Sequence, residues 1–477
     1  MKNSLYNRHP GMIVIAKSVQ DVQKSVLFAR KYNLHVTVHA SGHDYNGRST
    51  ADGSLMIDLS SMKEITFNLQ SKRHEAGEVT VDSGNSWLRI YKMVQSVDRV
   101  VVGGSSHTVS PGGYTLGGGH SPISRSFGLA SDQVLEMKVV VADGRIIDCT
   151  ATGSRVYHDN GTVQDTSDTD LFWALRGGGS GTYGIVVKFT YKLHYQPRQL
   201  VKMVITAPMY VSPQAYWSGY YFLEGFNKFV KDLSSDYGGY LILDNFPPRT
   251  EGISQIGTFR LLLIKFGPWD SETENVLDPF KDCFSQYGCE LKIENKTSFY
   301  DYEKDMFDIP ITRVYTLGTF IQTGSFNTGL TSFILEELEH YYRQNVFLIC
   351  VGTLIGGKVS QFSNDSAPIH PGFRNGLVCM TCAVVMSDST KDKEHTAAGK
   401  EFSQNLQRYG SGVYINEAAY DLDNWRDAFW GNHYIRLLEI KQKWDPTNLF
   451  SCHHCVGSEQ MTTRKQIVRC EINGGEK

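Results

Sequence analysis

The 477-residue chain predicts an α+β fold built on more than one core, and three observations carry that reading. Up to about Pro197, short strands interleave with helices. From about Arg198 to Arg408, longer aromatic-rich strands alternate with helices, the pattern of an antiparallel sheet backed by helices. The length also exceeds what a single ordinary core accommodates. Hydrophobic residues make up 41 % and aromatics 12 %, which excludes a disordered chain. Lys+Arg 47 against Asp+Glu 50 leaves a net charge of −3, so no basic footprint for nucleic acid is present. No apolar run approaches the ~18 residues that span a bilayer. Neither nucleic acid nor a membrane is expected as a partner.

In order, Gly11–Ala16 reads as a strand, and Ser18 opens a capped helix with Val19, Val22, Val26 and Ala29 on one face up to Tyr32. Strands follow at His35–Ala40, Ser54–Leu59, Glu78–Asp82 and Val100–Val102, with a helix at Trp87–Gln95. Val134–Ala142, the turn Asp143-Gly144 and Arg145–Cys149 form a hairpin. Asp170–Leu175 is helical, and Ile185–Leu193 alternates as a strand. In the second half the strands are Arg260–Phe266, Val314–Ile321, Val346–Val351 and Leu377–Met386. Helices are expected at Val211–Leu233, Leu330–Gln344 and Trp430–Trp444. These shifts divide the chain into 1–197, 198–410, 411–457 and a tail, 458–477.

Nine cysteines are too few for a disulfide scaffold, and an odd number leaves at least one unpaired. Cys379 and Cys382 fall in a strand, which sends the two thiols to opposite faces rather than to one metal. Cys452–Cys455 encloses His453 and His454, but ordinary tail cysteines are favoured there over zinc, and no metal is expected. Sequons at Asn160, Asn295 and Asn364 point weakly to a secretory route, whereas Met1–Leu5 shows no signal-peptide core.

Gly179-Ser180-Gly181-Thr182-Tyr183-Gly184 matches GxGxxG, but a helix precedes it and a strand follows, the reverse of a dinucleotide fingerprint. Gly352–Lys358 matches GxxxxGK, yet Val359 stands where a magnesium-binding hydroxyl belongs. The glycines at 103, 104, 112, 113, 117, 118 and 119 are harder to dismiss. Such density forms no regular element cheaply and indicates close backbone approach or a phosphate nest, with a long flexible loop as the plain alternative. Ser41–Gly47, directly after a strand and bearing His43, offers a second nest. Two such loops in one domain point to a dinucleotide gripped by irregular backbone.

At these residues the chain resembles the berberine-bridge-enzyme-like FAD-linked oxidases of the vanillyl-alcohol-oxidase superfamily, whose FAD-binding domain is called PCMH-type. Gly42-His43-Asp44-Tyr45-x-Gly47 resembles the first flavin loop, whose histidine carries the flavin 8α-methyl. Gly112–His120 resembles the second, and Leu129–Val134 the adenosine-side segment. Asp170–Gly179 with Tyr183–Val186, and Tyr414–Glu417 with Trp425, Trp430-Gly431, Tyr434, Lys441 and Asp445-Pro446, complete five ordered motifs. The resemblance implies a PCMH-type domain over 1–197, a substrate domain over 198–410, and a segment over 411–457 that returns to the FAD domain. It implies FAD contacts at Ser41, Gly42, His43, Asp44, Tyr45, Gly47, Ser106, Val109, Gly112, Gly113, Gly117, Gly118 and Gly119. Further contacts are implied at Asp132, Val134, Gly184, Val186, Tyr414 and Asn416.

Many relatives add a cysteine link just before the second loop. Ser106 stands there and cannot form it, which leaves FAD attached through His43 alone. Val109 occupies a position where the family's valine admits O2 and leucine hinders it, favouring an oxidase. The expected reaction moves a hydride from an alcohol, sugar or amine-adjacent carbon of a small molecule to the flavin, and O2 becomes H2O2. Tyr114, His120 and Tyr414 are the candidate bases, a phenol needing a lowered pKa for the role. Glu417 is equally a structural carboxylate or a base. The 25 tyrosines suit a sugar-binding surface, though an aromatic core gives the same count. The alternatives are a dehydrogenase using another acceptor, a flavin-binding relic without turnover, and a binding module without flavin.

Overall fold

The computed structural model of the chain describes residues 3–158, 161–210, 216–247, 255–306 and 312–460. Asn160, the start of the Val211–Leu233 helix and most of the tail lie outside the described residues.

A three-stranded parallel sheet runs in the order Met12–Ile15, Leu55–Asp58, Val36–His39. Helix Val19–Tyr32 joins the first and third of these. Ser18 Oγ accepts from the Asp21 amide at 3.2 Å while Asp21 Oδ2 accepts from the Ser18 amide at 3.0 Å, a reciprocal cap. The buried face Val22, Val26 and Ala29 shares a core with Leu55, Ile57, Ile185 and Val187.

Beside it lies a seven-stranded antiparallel sheet. Its strand Ile185–Lys192 pairs with Val134–Val140, the central strand, on one side and with Glu78–Asp82 on the other. Val134–Val140 continues into Ile146–Thr150 as the expected hairpin. Helix Asp170–Ala174 precedes strand Ile185–Lys192, so the Gly179–Gly184 turn opens no helix. The edge strands Ile65–Asn68 and Val163–Thr166, and Gly153–Tyr157 beside the latter, are not legible from pattern, being short and largely polar or exposed.

A second seven-stranded antiparallel sheet has the order Glu290–Lys296, Leu200–Tyr210, Gln255–Lys265, Tyr237–Asp244, Leu348–Leu354, Gly376–Val385, Val314–Gln322. Helices Tyr216–Phe229, Thr328–Arg343 and Asp392–Leu406 back it. The period of two sorts its faces. Val201, Met203 and Ile205 pack under the helices with Leu241, Leu243, Leu261 and Leu263. Their neighbours Lys202, Val204, Tyr240, Ile242, Arg260 and Leu262 face a cavity instead. Cys379 and Cys382 fall in different cores as strand geometry requires, and Cys382 is disulfide-bonded to its cross-strand neighbour Cys350. Cys452 and Cys455 also pair, as do Cys283 and Cys289.

Three expectations need correction. The glycine-rich stretch contains a helical turn, Pro111–Leu116, because Pro111 at its first position presets φ and the turn is buried. The Trp430–Trp444 helix is two helices, Trp425–Trp430 and Tyr434–Trp444, broken where Gly431 takes φ +54°. Val100–Val102 contributes only the two-residue strand Arg99–Val100, paired to His194–Tyr195.

Candidate active site

Between the first domain's loops and the open face of the second large sheet lies a cavity of about 850 Å³, near the upper end of the ~300–1,000 Å³ usual for ligand sites. Ser41, Gly42, His43, Asp44 and Tyr45 line it from the first loop, and Ser106, Val109, Gly112 and Gly113 from the second. Gly184, just before strand Ile185–Lys192, and Val186 on that strand also contribute; Tyr114, His120, Tyr414 and Asn416 complete the set. The two loops are tied together. Ser41 Oγ donates to Ser110 Oγ at 3.1 Å and accepts from the Ser110 amide at 3.1 Å. His43 Nε2 lies 2.8 Å from Thr108 Oγ1, which fixes the plane of the ring.

Gly47, Gly117, Gly118, Gly119, Asp132 and Val134 do not reach this cavity wall. A side chain at Gly117 would meet the Asn416 amide group at 2.5 Å, and one at Gly118 the Ile369 side chain at 3.2 Å. Gly47 sits against Tyr6. Gly119, at φ +74°, lies under the Tyr114 ring. Asp132 is taken up by Arg374: Nη1 and Nη2 donate to its two carboxylate oxygens at 2.6 and 2.7 Å, both side chains fully buried. Val134 is a core residue of the central sheet.

The cavity holds a compact acid–base cluster. His120 Nδ1 lies 2.9 Å from Thr353 Oγ1, and its Nε2 lies 3.2 Å from Glu417 Oε1. Thr381 Oγ1 donates to Glu417 Oε2. Burial pushes the Glu417 carboxyl up, but the His120 charge and the hydrogen bonds from His120 and Thr381 outweigh it and hold it below its ordinary range. Cys379 brings its thiol within 4.8 Å of the same His120 and Glu417 atoms, and burial keeps that thiol neutral. Both His120 nitrogens are engaged by Thr353 and Glu417, which accounts for the grouping without a metal.

The two candidate phenols are placed differently. Tyr114 Oη donates to the His120 carbonyl at 2.5 Å; Tyr414 Oη accepts from Asn416 Nδ2 at 2.8 Å. Burial drives both phenols well above their ordinary value. Neither meets the lowered-pKa condition for a base.

Several wall residues escaped the sequence reading. Arg48 donates through Nη1 to Asp44 and the Ile415 carbonyl and through Nε to the His453 carbonyl. Its buried Nη2 has no hydrogen-bond partner among the described residues. Ser105 Oγ bridges Glu303 Oε1 at 2.8 Å and Tyr240 Oη at 2.7 Å. Lys202, Thr353 and Thr381 stand on the sheet. The available signal for those three was an isolated polar residue within a largely apolar strand.

Residues 10–150 match the profile of an FAD binding domain, and residues 413–457 match a profile described as berberine and berberine like. The chain is 28 % identical over 460 residues to the FAD-linked oxidoreductase ZEB1 of Gibberella zeae, covering 94 % of this chain and 76 % of that protein. It superposes on the VAO-type flavoprotein MtVAO615 of Myceliophthora thermophila with a TM-score of 0.76 at 26 % identity, covering 94 % of this chain and 79 % of that one. A glucooligosaccharide oxidase of Acremonium strictum, described with 6-S-cysteinyl, 8α-N1-histidyl FAD, shares the fold. Its TM-score is 0.75 at 18 % identity, over 96 % of this chain and 94 % of that one. Together with the cavity between the two loops and the sheet, these matches place the chain among the FAD-linked oxidoreductases that join an FAD binding domain to a berberine-like C-terminal segment.

Proposed function

We propose that the chain is an FAD-dependent oxidase acting on a hydroxylated small molecule of the sugar or polyol class. In this reading FAD is attached through His43 alone and O2 is the electron acceptor. The observation that carries the reading is the His120–Glu417 pair in a cavity walled by both flavin loops and by a partly polar sheet face. The residues present suit FAD. Arg48 offers a buried guanidinium nitrogen, still without a partner among the described residues, to a pyrophosphate, and a Cβ at Gly113 would meet nothing within 4 Å, open space against backbone. His43 stands on the wall with its ring held by Thr108, and Ser106 offers no thiol for a second bond. When bound, FAD supplies the hydride acceptor and passes the electrons to O2, giving H2O2.

The chain's own part is proton management and orientation. Glu417, held ionised, orients the His120 ring, and the pair takes the substrate hydroxyl proton. The buried phenols of Tyr114 and Tyr414 stay protonated; Tyr114 fixes the His120 backbone from below. Lys202, Tyr240, Thr353 and Thr381 supply donors and acceptors for hydroxyl groups, while Val204, Ile242 and Val351 supply apolar faces for ring carbons. This mixture suits a polyol better than a flat apolar substrate, and the oligosaccharide oxidase of like fold supports the same class. The test is acid precipitation of purified protein with peptide mapping, followed by H2O2 measurement over a panel of sugars with and without an artificial acceptor. FAD on the His43 peptide and stoichiometric H2O2 are expected. A colourless protein overturns the FAD reading, and turnover that occurs only with the artificial acceptor, without H2O2, overturns the oxidase.

A further inference from the structure

Behind Tyr240, the cross-strand neighbour of Thr353, sits a carboxyl group that the proposed reaction does not use. Glu303 lies on the short helix Phe299–Glu303 with its side chain wholly inaccessible to solvent. Its Oε1 is 2.8 Å from Ser105 Oγ, and Ser105 Oγ is 2.7 Å from Tyr240 Oη on the cavity wall. Its Oε2 has no hydrogen-bond partner among the described residues. The backbone carbonyl of Glu303 is held 2.7 Å from His107 Nε2, so the helix end is anchored to the second flavin loop. The result is an unbranched chain of three groups, carboxyl to hydroxyl to phenol, ending at the ligand space.

A serine and a tyrosine hydroxyl each own one proton, so the direction of such a chain is set at its closed end. With Glu303 ionised, Ser105 must donate to Oε1, Tyr240 must donate to Ser105, and the phenol shows the cavity only lone pairs. With Glu303 neutral, the carboxyl proton on Oε1 goes to Ser105, the Ser105 proton to Tyr240, and the phenol proton turns into the cavity. An ionised carboxylate with one bare, buried oxygen carries a large desolvation penalty, so the chain favours the second arrangement.

We propose that Glu303 is a positioning residue whose carboxyl proton, relayed through Ser105, makes Tyr240 a hydrogen-bond donor to an oxygen acceptor on the bound ligand, and that loss of this proton reverses Tyr240 to an acceptor. The surroundings place the change in an accessible range. Burial pushes the Glu303 carboxyl up to about 8, against the lowering pull of the Ser105 hydrogen bond and the Lys202 charge. The other titratable groups around it are the His107 imidazole at its backbone carbonyl and the phenols of Tyr91 on helix Trp87–Gln95, Tyr114, Tyr302 and Tyr240, each phenol raised by burial and neutral throughout. The charged side chains acting on the relay are Lys202, on Glu303, and the Glu417 carboxylate, on Tyr240.

The decisive experiment is infrared difference spectroscopy of the flavin-loaded protein about two pH units below and above the Glu303 midpoint, which needs no substrate. A protonated-carboxyl C=O band is expected at the lower pH, absent at the higher pH and absent from Glu303→Gln. The C–O stretch of Tyr240, isolated by subtracting the Tyr240→Phe spectrum, is expected to shift from donor to acceptor position over the same titration. Glu303→Gln keeps an amide donor toward Ser105, so it holds Tyr240 in the donor position at both pH values. Ser105→Ala leaves the carboxyl band but uncouples Tyr240 from it. A Tyr240 stretch that ignores the carboxyl titration, or a missing carboxyl band in the wild type, overturns the proposal. A functional arm rests on the oxidase reading above. For whichever sugar yields H2O2, KM should rise about five-fold across the titration at constant kcat, the value of one hydrogen bond. In Glu303→Gln it should stay flat. If no sugar in the panel is oxidised, the infrared result still decides the proposal.

Discussion

Replacing Asp132 by asparagine separates two roles that the sequence could not tell apart. The adenosine-side motif makes Asp132 an FAD contact; the structure buries it completely against Arg374 in a two-pronged ion pair. Asp132 lies on the turn before strand Val134–Val140 of the central sheet, and Arg374 just before strand Gly376–Val385 of the second sheet. The pair therefore clamps one sheet system to the other. The Asp132→Asn substitution would leave the Arg374 guanidinium buried and uncompensated, a loss of about 3–5 kcal/mol. For 477 residues at about 2 cal/mol/K each, the unfolding entropy is about 1 kcal/mol/K, so the melting temperature falls by about 3–5 °C. The assay pairs thermal unfolding with flavin absorbance near its visible band in the folded protein. Unfolding should shift while flavin content holds, and the double variant Asp132→Leu/Arg374→Met should recover most of the loss. Loss of flavin with unchanged melting would refute the argument and restore Asp132 to the cofactor.

Four further outcomes follow from the same geometry. Gly113→Ala should leave apoprotein stability within about 0.5 kcal/mol but lower the fraction of protein that incorporates flavin, because its Cβ enters open cavity; Gly119→Ala, at φ +74° and 2.6 Å from the Tyr114 ring, should instead lower the melting temperature. His43→Ala should release all flavin on acid precipitation, measured as colour in the supernatant. Glu417→Gln should cut turnover by about 10²–10⁴ with the flavin spectrum unchanged. Because the Glu417 carboxyl is held below its ordinary 4.5, the ionised form and its stabilisation persist above that value, and wild-type activity should fall only as pH drops through the lowered pKa. Glu303 works in the opposite sense. Its unfolded carboxyl releases a proton near 4.5 while the folded one keeps it to about 8, so stability declines as pH rises through that window, by about 1.4 kcal/mol per unit. Urea titrations should show Glu303→Gln gaining on the wild type across the same range.

Much of the first half was legible because its elements carry local signals. The Ser18–Asp21 cap, the Asp143-Gly144 turn and the alternation at Glu78–Asp82 are all written within a few residues. In the second half four of the seven strands are legible, but Leu200–Tyr210, Tyr237–Asp244 and Glu290–Lys296 are not; the second opens on a tyrosine and two glycines and the third is largely charged and exposed. The His120–Glu417–Thr353–Thr381 cluster gathers one group from a loop, one from a C-terminal turn and two from different strands, separated by up to 297 positions. No spacing rule reaches that far. The choice among Tyr114, His120 and Tyr414 was equally closed to sequence, since it turns on burial, which raises the two phenols and leaves His120 beside an ionised carboxylate.

The glycine cluster between 103 and 119 shows why a composition signal and its cause can diverge. Its density suggested backbone laid against a cofactor, and Gly104, Gly112 and Gly113 do line the cavity. The other four are glycine for a different reason. A Cβ at Gly103 would stand 2.2 Å from the Trp87 ring, at Gly117 2.5 Å from Asn416, at Gly118 3.2 Å from Ile369, and at Gly119 2.6 Å from Tyr114. Trp87, Asn416 and Tyr114 are themselves pieces of the wall or its immediate backing. The missing side chains let large groups from the helix Trp87–Gln95 and the C-terminal segment close directly behind the loop. Close packing of protein on protein thus builds the cradle, and of these seven glycines only Gly113, where a Cβ would meet nothing within 4 Å, faces open space.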